Sequence, residues 1–122
     1  MAHMGQKSSF RYYNPNPFGR DTSDCVVRAL TLALDMNWDD TYKELCRHGF
    51  QLGLMPNDNA AWETYLIEHG YERRILPNTC PACYTLEDFC RDHAYGDYVV
   101  ATGSHVIFAS DGLFYDTSDS GN

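Results

Sequence analysis

The chain has 122 residues, which suffices for one domain and is too short for two of ordinary size. Hydrophobic residues make up 43% of the sequence, so a packed core is expected and a disordered protein is excluded. The net charge of −8 argues against binding to the phosphate backbone of nucleic acids. No apolar run reaches the roughly 18 residues of a membrane span. Neither nucleic acid, because of the charge, nor a membrane, because of the missing apolar run, is therefore an expected partner.

The first 22 residues are expected to lie outside the main domain. Residues 1–4 are typical of an expression vector, and residues 5–22 are predicted to form an N-terminal arm. Within the arm, Asn14-Pro15-Asn16-Pro17 favours an extended or turn conformation, because a residue before proline avoids the helical region. Residues 23–122 are predicted to form a single domain. No secretory signal is visible, and five irregularly spaced cysteines indicate reduced thiols and a cytoplasmic location.

Apolar residues at helical spacing predict four helices. They span about residues 24–35, 38–48, 58–69 and 86–93. Asn37 is a suitable cap for the second helix, and Gly49 is expected to end it. Thr85 and Asp88 have the spacing of a capping box at the start of the fourth helix.

The last third of the chain changes to β-branched and aromatic residues, which are typical of strands. Strands are predicted over residues 97–102, 105–110 and 113–117, with a further short strand at 71–76. Asp111-Gly112 between two apolar runs indicates a two-residue hairpin turn. The order of the elements predicts an α+β domain, in which an N-terminal helical half packs on a small C-terminal antiparallel sheet.

Cys25 lies at the start of the first predicted helix. The unpaired backbone N–H groups and the positive helix end favour the thiolate there, which is the nucleophilic form of cysteine. The same N–H groups, including that of Cys25, could donate to an oxyanion that forms beside the sulfur. The alternative is a small hydrophobic residue buried beneath the helix, a common role of unpaired cysteine. Cys25 is therefore a candidate nucleophile.

A cysteine nucleophile needs a base, and the base needs a partner that orients it. His105 begins one strand of the predicted hairpin. If Asp111-Gly112 forms the turn, Ser110 pairs with Leu113, and alternation places His105 and Asp116 on one face. The two residues are then diagonal neighbours, about 7 Å apart and within reach of each other. A half-buried strand histidine and an acid at a strand end are the simpler interpretations when each residue is taken alone. Together with a cysteine at a helix start, they predict a catalytic triad.

Three segments resemble those of papain-like cysteine peptidases. They are Asp24-Cys25-Val26-Val27-Arg28-Ala29-Leu30, Gly103-Ser104-His105-Val106-Ile107 and Leu113-Phe114-Tyr115-Asp116-Thr117. The lead-in Asn14-Pro15 and the ending at residues 115–120 are similar to those of small members carried by phages and mobile elements. The order of the three site residues is similar to that of the double-glycine leader peptidases.

The resemblance implies a papain-like fold and a thiol peptidase that forms an acyl-thioester intermediate. Cys25 would be the nucleophile, His105 the general base and acid, and Asp116 the orienting partner of the histidine. The substrate would be a peptide or protein, and neither cofactor nor metal is implied. Such peptidases carry an oxyanion-donating glutamine about six residues before the cysteine, but Gly19 occupies that position here. Asn16 is the candidate substitute, together with the backbone N–H of Cys25.

Two alternatives remain at the level of sequence. One is a cell-wall peptidase or amidase of the related Cys–His family, although those enzymes usually have histidine at the position of Asp116. The other is a non-catalytic interaction module, with or without zinc. Two ligand pairs with two-residue gaps resemble a compact zinc site, formed by Cys80, Cys83, Cys90 and His93.

Overall fold

The computed structural model describes residues 8–20, 22–76, 84–102 and 105–118. Its helices are α1 (Cys25–Ala33), α2 (Trp38–Leu52), α3 (Asn59–Glu68) and α4 (Leu86–Asp92). Its strands are β1 (Phe10–Tyr12), β2 (Asp97–Thr102), β3 (His105–Ser110) and β4 (Leu113–Asp116). The α+β class and the four predicted helices are confirmed. Within these described ranges, no helix combines the length and the apolarity that crossing a membrane requires.

The four strands form one mixed sheet in the order β1-β4-β3-β2. The pairs β2–β3 and β3–β4 are antiparallel, as predicted. β1 instead joins β4 in parallel, with Phe10 opposite Phe114. The sequence predicts only an arm here, because three residues are too few for the alternation of a strand to be visible. The N-terminal arm therefore supplies one edge of the sheet, and the sheet is not purely antiparallel.

Asp111 and Gly112 form the predicted two-residue turn between β3 and β4. Their φ angles of 49° and 80° lie in the left-handed region, which both central residues of a type I′ turn must adopt. Ser110 pairs with Leu113, and the pairing continues along the two strands in the predicted register. The turn therefore fixes which side chains share a face of the hairpin.

Helices cover both faces of the sheet, so that β3 is buried from both sides. On one face, α1, α2 and α3 contribute to an apolar cluster that includes Leu30, Leu45, Tyr65, Val106 and Phe108. On the other face, α4 packs in a second cluster, which contains Leu86, Phe89, Cys90, Ile107, Ala109 and Phe114. Successive residues of β3 alternate between the two clusters, as the side-chain geometry of a strand requires.

One predicted strand and one predicted helix end are wrong. Residues 71–76 have no regular secondary structure, and residues 72–76 are exposed. Tyr71 is instead a packing contact, because its hydroxyl donates to the carbonyl oxygen of Ala33 at 2.9 Å. The other error is at Gly49, since α2 continues to Leu52 and ends at Gly53, whose φ is 72°. A Cβ atom at Gly49 would lie 2.6 Å from the carbonyl oxygen of Leu54, so this glycine permits a close approach of the following loop.

Replacing Gly49 with alanine is expected to destabilise the protein by about 1–3 kcal/mol, because the new methyl group would overlap the Leu54 carbonyl. An unconstrained glycine in a helix would instead gain up to about 1 kcal/mol from the same change. Urea unfolding followed by circular dichroism measures the sign of the effect. A more stable variant would contradict the close approach.

Candidate active site

His105 and Asp116 meet at the open end of the β3–β4 hairpin. Nε2 of His105 lies 2.6 Å from Oδ2 of Asp116. The side chain of Asp116 is 2% exposed, whereas that of His105 is 34% exposed. When the carboxylate accepts this bond, the proton is on Nε2, and Nδ1 is the nitrogen that could face a nucleophile. The structure thus brings together the histidine and the aspartate that the hairpin register pairs.

Other donors fix the buried Asp116 carboxylate from its second oxygen. Oδ1 lies 3.1 Å from Nη2 of Arg28 and accepts a bond from the backbone N–H of Thr117 at 2.7 Å. A buried carboxylate is stable only when charges and hydrogen bonds compensate for the lost water. With His105 on Oδ2 and Arg28 on Oδ1, Asp116 has little freedom to rotate.

Arg28, on the buried side of α1, connects the hairpin to the start of the helix. Its Nη1 forms an ion pair with Oδ1 of Asp24, the residue directly before Cys25. The indole N–H of Trp38 donates to the other Asp24 oxygen at 2.9 Å. Arg28 and Asp24 are both almost fully buried. Arg28 has no role in the sequence-based prediction, although an arginine on the apolar face of a helix, four residues after an aspartate, is a signal for such an ion pair.

Cys25 is the first residue of α1 and lines a cavity of about 140 Å³. The other lining residues are Ser23, Val26, Asn57, Asn59, Ala101 and Val106. Val106 directly follows His105 in β3, so the cysteine lies near the end of the strand that carries the histidine. Among the hydrogen bonds between described residues, none joins the thiol of Cys25 to the ring of His105.

The predicted oxyanion donor Asn16 is buried, and its side chain supports a turn. Its Oδ1 accepts from the backbone N–H of Phe18 at 2.8 Å, and Asn16 does not line the Cys25 cavity. Two other asparagines do line it, Asn57 and Asn59. The indole N–H of Trp62 donates to Oδ1 of Asn59 at 3.1 Å, which orients that amide. Asn16 and the backbone N–H of Cys25 remain predictions as oxyanion donors.

The alternative zinc ligands are only partly described. Cys80 and Cys83 lie outside the described residues. Cys90 is buried in the α4 cluster, and this burial raises the pKa of its thiol to about 11. The His93 ring stacks on Phe89 at 4.0 Å, and its Nδ1 lies 3.0 Å from the Phe89 carbonyl oxygen. In the described part of the chain, no three histidine, cysteine or acidic residues cluster as metal ligands would.

Comparisons with family models, with curated proteins and with solved structures give no match to this chain. The resemblance to papain-like peptidases therefore rests on the motifs in the sequence, and a function has to be inferred from the geometry of the site.

At about pH 8, Cys90 is expected to react with iodoacetamide at least about tenfold more slowly in the folded protein than in urea, because burial suppresses its thiolate. Peptide mass mapping measures the rate at each cysteine. Cys46, which is half-buried on α2, serves as the control and should change less. Equal rates for Cys90 in the folded and unfolded protein would contradict its burial.

Proposed function

We propose that the protein is a cysteine hydrolase, a thiol peptidase of the papain-like type, in which Cys25, His105 and Asp116 form the catalytic triad. The observation that carries this proposal is the 2.6 Å contact between His105 and the buried Asp116. A histidine held in this way has one ring nitrogen fixed and the other directed toward reaction, as the base beside a cysteine nucleophile requires.

The position of Cys25 supports its role as the nucleophile. The residue is at the first position of α1, where backbone N–H groups are unpaired and the helix end is positive. It also lines the cavity and is partly exposed, as the approach of a substrate carbonyl to the sulfur would require. The backbone N–H of Cys25 is available to donate to the oxyanion that forms beside it.

The proposed reaction is acyl transfer to water in two steps. His105 takes the thiol proton, and the sulfur of Cys25 attacks the carbonyl carbon of a peptide bond. His105 then gives the proton to the leaving amine, the C–N bond breaks, and a thioester with Cys25 remains. Water attacks the thioester while His105 accepts a proton from it, and the acid product leaves as the thiol is restored. Asp116 holds the ring and stabilises the imidazolium that forms in each step.

Catalysis requires the ring of His105 to approach the thiol of Cys25. Alternation along β3 directs His105 to the opposite face from Val106, which shares the cavity with Cys25, so the ring must reach round the end of the strand. The side chain of His105 is 34% exposed, which leaves room for a shift of the ring that keeps the contact between Nε2 and Asp116.

The cellular setting that we propose is the cytoplasm. Cys25, Cys46 and Cys90 are unpaired thiols, which suits a reducing compartment. The net charge of −8 would weakly favour neutral or basic peptide substrates through long-range attraction.

Dibromoacetone is expected to link Cys25 to His105. One C–Br bond is displaced by the thiol and the other by the imidazole, so two bromides leave and a three-carbon bridge remains. Peptide mass mapping identifies the bridged pair. Cys46 on α2 should gain only a single adduct with no bridge to His105. Modification of Cys25 without any bridge to His105 would contradict the proposed pairing.

Replacing Cys25 with alanine is expected to abolish hydrolysis of a peptide library, and Asp116→Asn to lower it about a hundredfold or more, because the ring loses its orienting carboxylate. Mass spectrometry of the library before and after incubation measures cleavage. Asp39→Asn, at an exposed position of α2, is the matched control and should retain activity.

A parallel incubation with purified peptidoglycan tests the cell-wall alternative. Cleavage of peptidoglycan but of no library peptide would contradict the proposed peptide substrate. No hydrolysis of either, combined with equally slow alkylation of Cys25 and Cys46, would overturn the hydrolase proposal itself.

A further inference from the structure

Arg28 contacts both halves of the candidate active site. On one side, its Nη1 is paired with Asp24, which precedes Cys25 and accepts the first backbone bond of the helix from Arg28 N–H at 2.9 Å. On the other side, its Nη2 lies 3.1 Å from the Asp116 oxygen that His105 does not use. The nucleophile-bearing helix and the base-bearing hairpin thus share one guanidinium.

The geometry of this contact suits arginine and no other cation. A guanidinium presents several N–H donors in a fixed plane, so that separate nitrogens can bind two carboxylates at a defined spacing. A lysine ammonium is a single point charge and would not reproduce that spacing. Since Arg28, Asp24 and Asp116 are all at least about nine-tenths buried, water cannot substitute for a lost contact.

We propose that Arg28 is a positioning residue, which aligns Cys25 with His105 by binding Asp24 and Asp116 simultaneously. The orientation of the His105 ring by Arg28 follows from the contacts described above. The effect of Arg28 on hydrolysis rests, in addition, on the proposed function. When Arg28 is removed, Oδ1 of Asp116 loses its charged partner and keeps the backbone N–H of Thr117, so the carboxylate holds the ring of His105 less firmly in one orientation. Small displacements of this kind are costly, because a shift of about 1 Å can lower a rate about a hundredfold.

The test is nitrogen-15 NMR of the histidine rings, recorded on the basic side of the ring titration measured in the same spectra, because the two neutral tautomers have distinct shifts. In the wild-type protein, His105 is expected to show the proton on Nε2, because the Asp116 carboxylate accepts there. Arg28→Met removes the guanidinium at similar side-chain length, and the expected spectrum shows a mixture of the two tautomers. The rate of Cys25 alkylation should fall about tenfold or more in the same variant.

Arg47→Met is the matched control, because Arg47 forms an exposed ion pair with Glu44 on α2, away from the described contacts of the site. Its His105 signals and Cys25 alkylation should equal those of the wild-type protein. Circular dichroism establishes which variants are folded. If Arg28→Met does not fold, Arg28→Lys takes its place, and an intermediate tautomer mixture is expected, since the charge is kept and the bridge is lost.

An unchanged His105 spectrum in a folded Arg28 variant would overturn the positioning role. That outcome is distinct from failure of the proposed function, which shows in the wild-type protein as an absence of rapid Cys25 alkylation and of peptide cleavage. A changed spectrum in the Arg28 variants together with an inert Cys25 would leave the positioning role supported and the hydrolase overturned.

Discussion

Two carboxylates and one guanidinium are buried together where α1 meets the end of β4. Burying charges is costly unless each one finds a partner at good distance, and here Arg28 is the partner that both Asp24 and Asp116 share. Arg28 can contact both carboxylates only when α1 and β4 lie at one particular distance from each other. The ion-pair network therefore selects the docking of α1 on the sheet more narrowly than the surrounding apolar contacts, which tolerate small shifts. The indole of Trp38 adds a third element to this arrangement by fixing Asp24 from α2.

The β3–β4 hairpin determines the second feature of the site, the placement of His105 beside Asp116. Its two-residue turn sets the register, and the register places a histidine at the start of one strand beside an aspartate at the end of the next. Because β3 is covered by helices on both faces, its position is fixed by packing rather than by the turn alone. His105 thus stands at the end of a strand that is packed on both faces, which is a suitable support for the proposed base.

Local signals in the sequence predicted the elements well, because capping and turn residues act on their immediate neighbours. Thr85 and Asp88 form the expected capping box, and counting outward from Asp111-Gly112 was enough to pair His105 with Asp116. Other features depend on residues distant in sequence and were missed. The parallel addition of β1, the close approach of a loop to Gly49 and the double pairing of Arg28 are tertiary contacts without a local pattern. The distance between Cys25 and His105 also has no local sequence pattern, because it depends on how α1 docks on the sheet.

The parallel strand at the sheet edge ties the beginning of the described chain to the site. Directly after β1, the backbone N–H of Tyr13 donates to the carbonyl oxygen of Asp116 at 2.8 Å. Before it, the N–H of Ser9 donates to Glu87 at 3.0 Å, which anchors the strand to α4. A fusion partner or affinity tag joined close to Ser9 could displace β1, and with it the backbone of Asp116, the residue that binds His105. The choice of attachment point is therefore itself a variable of the geometry around His105 and Asp116.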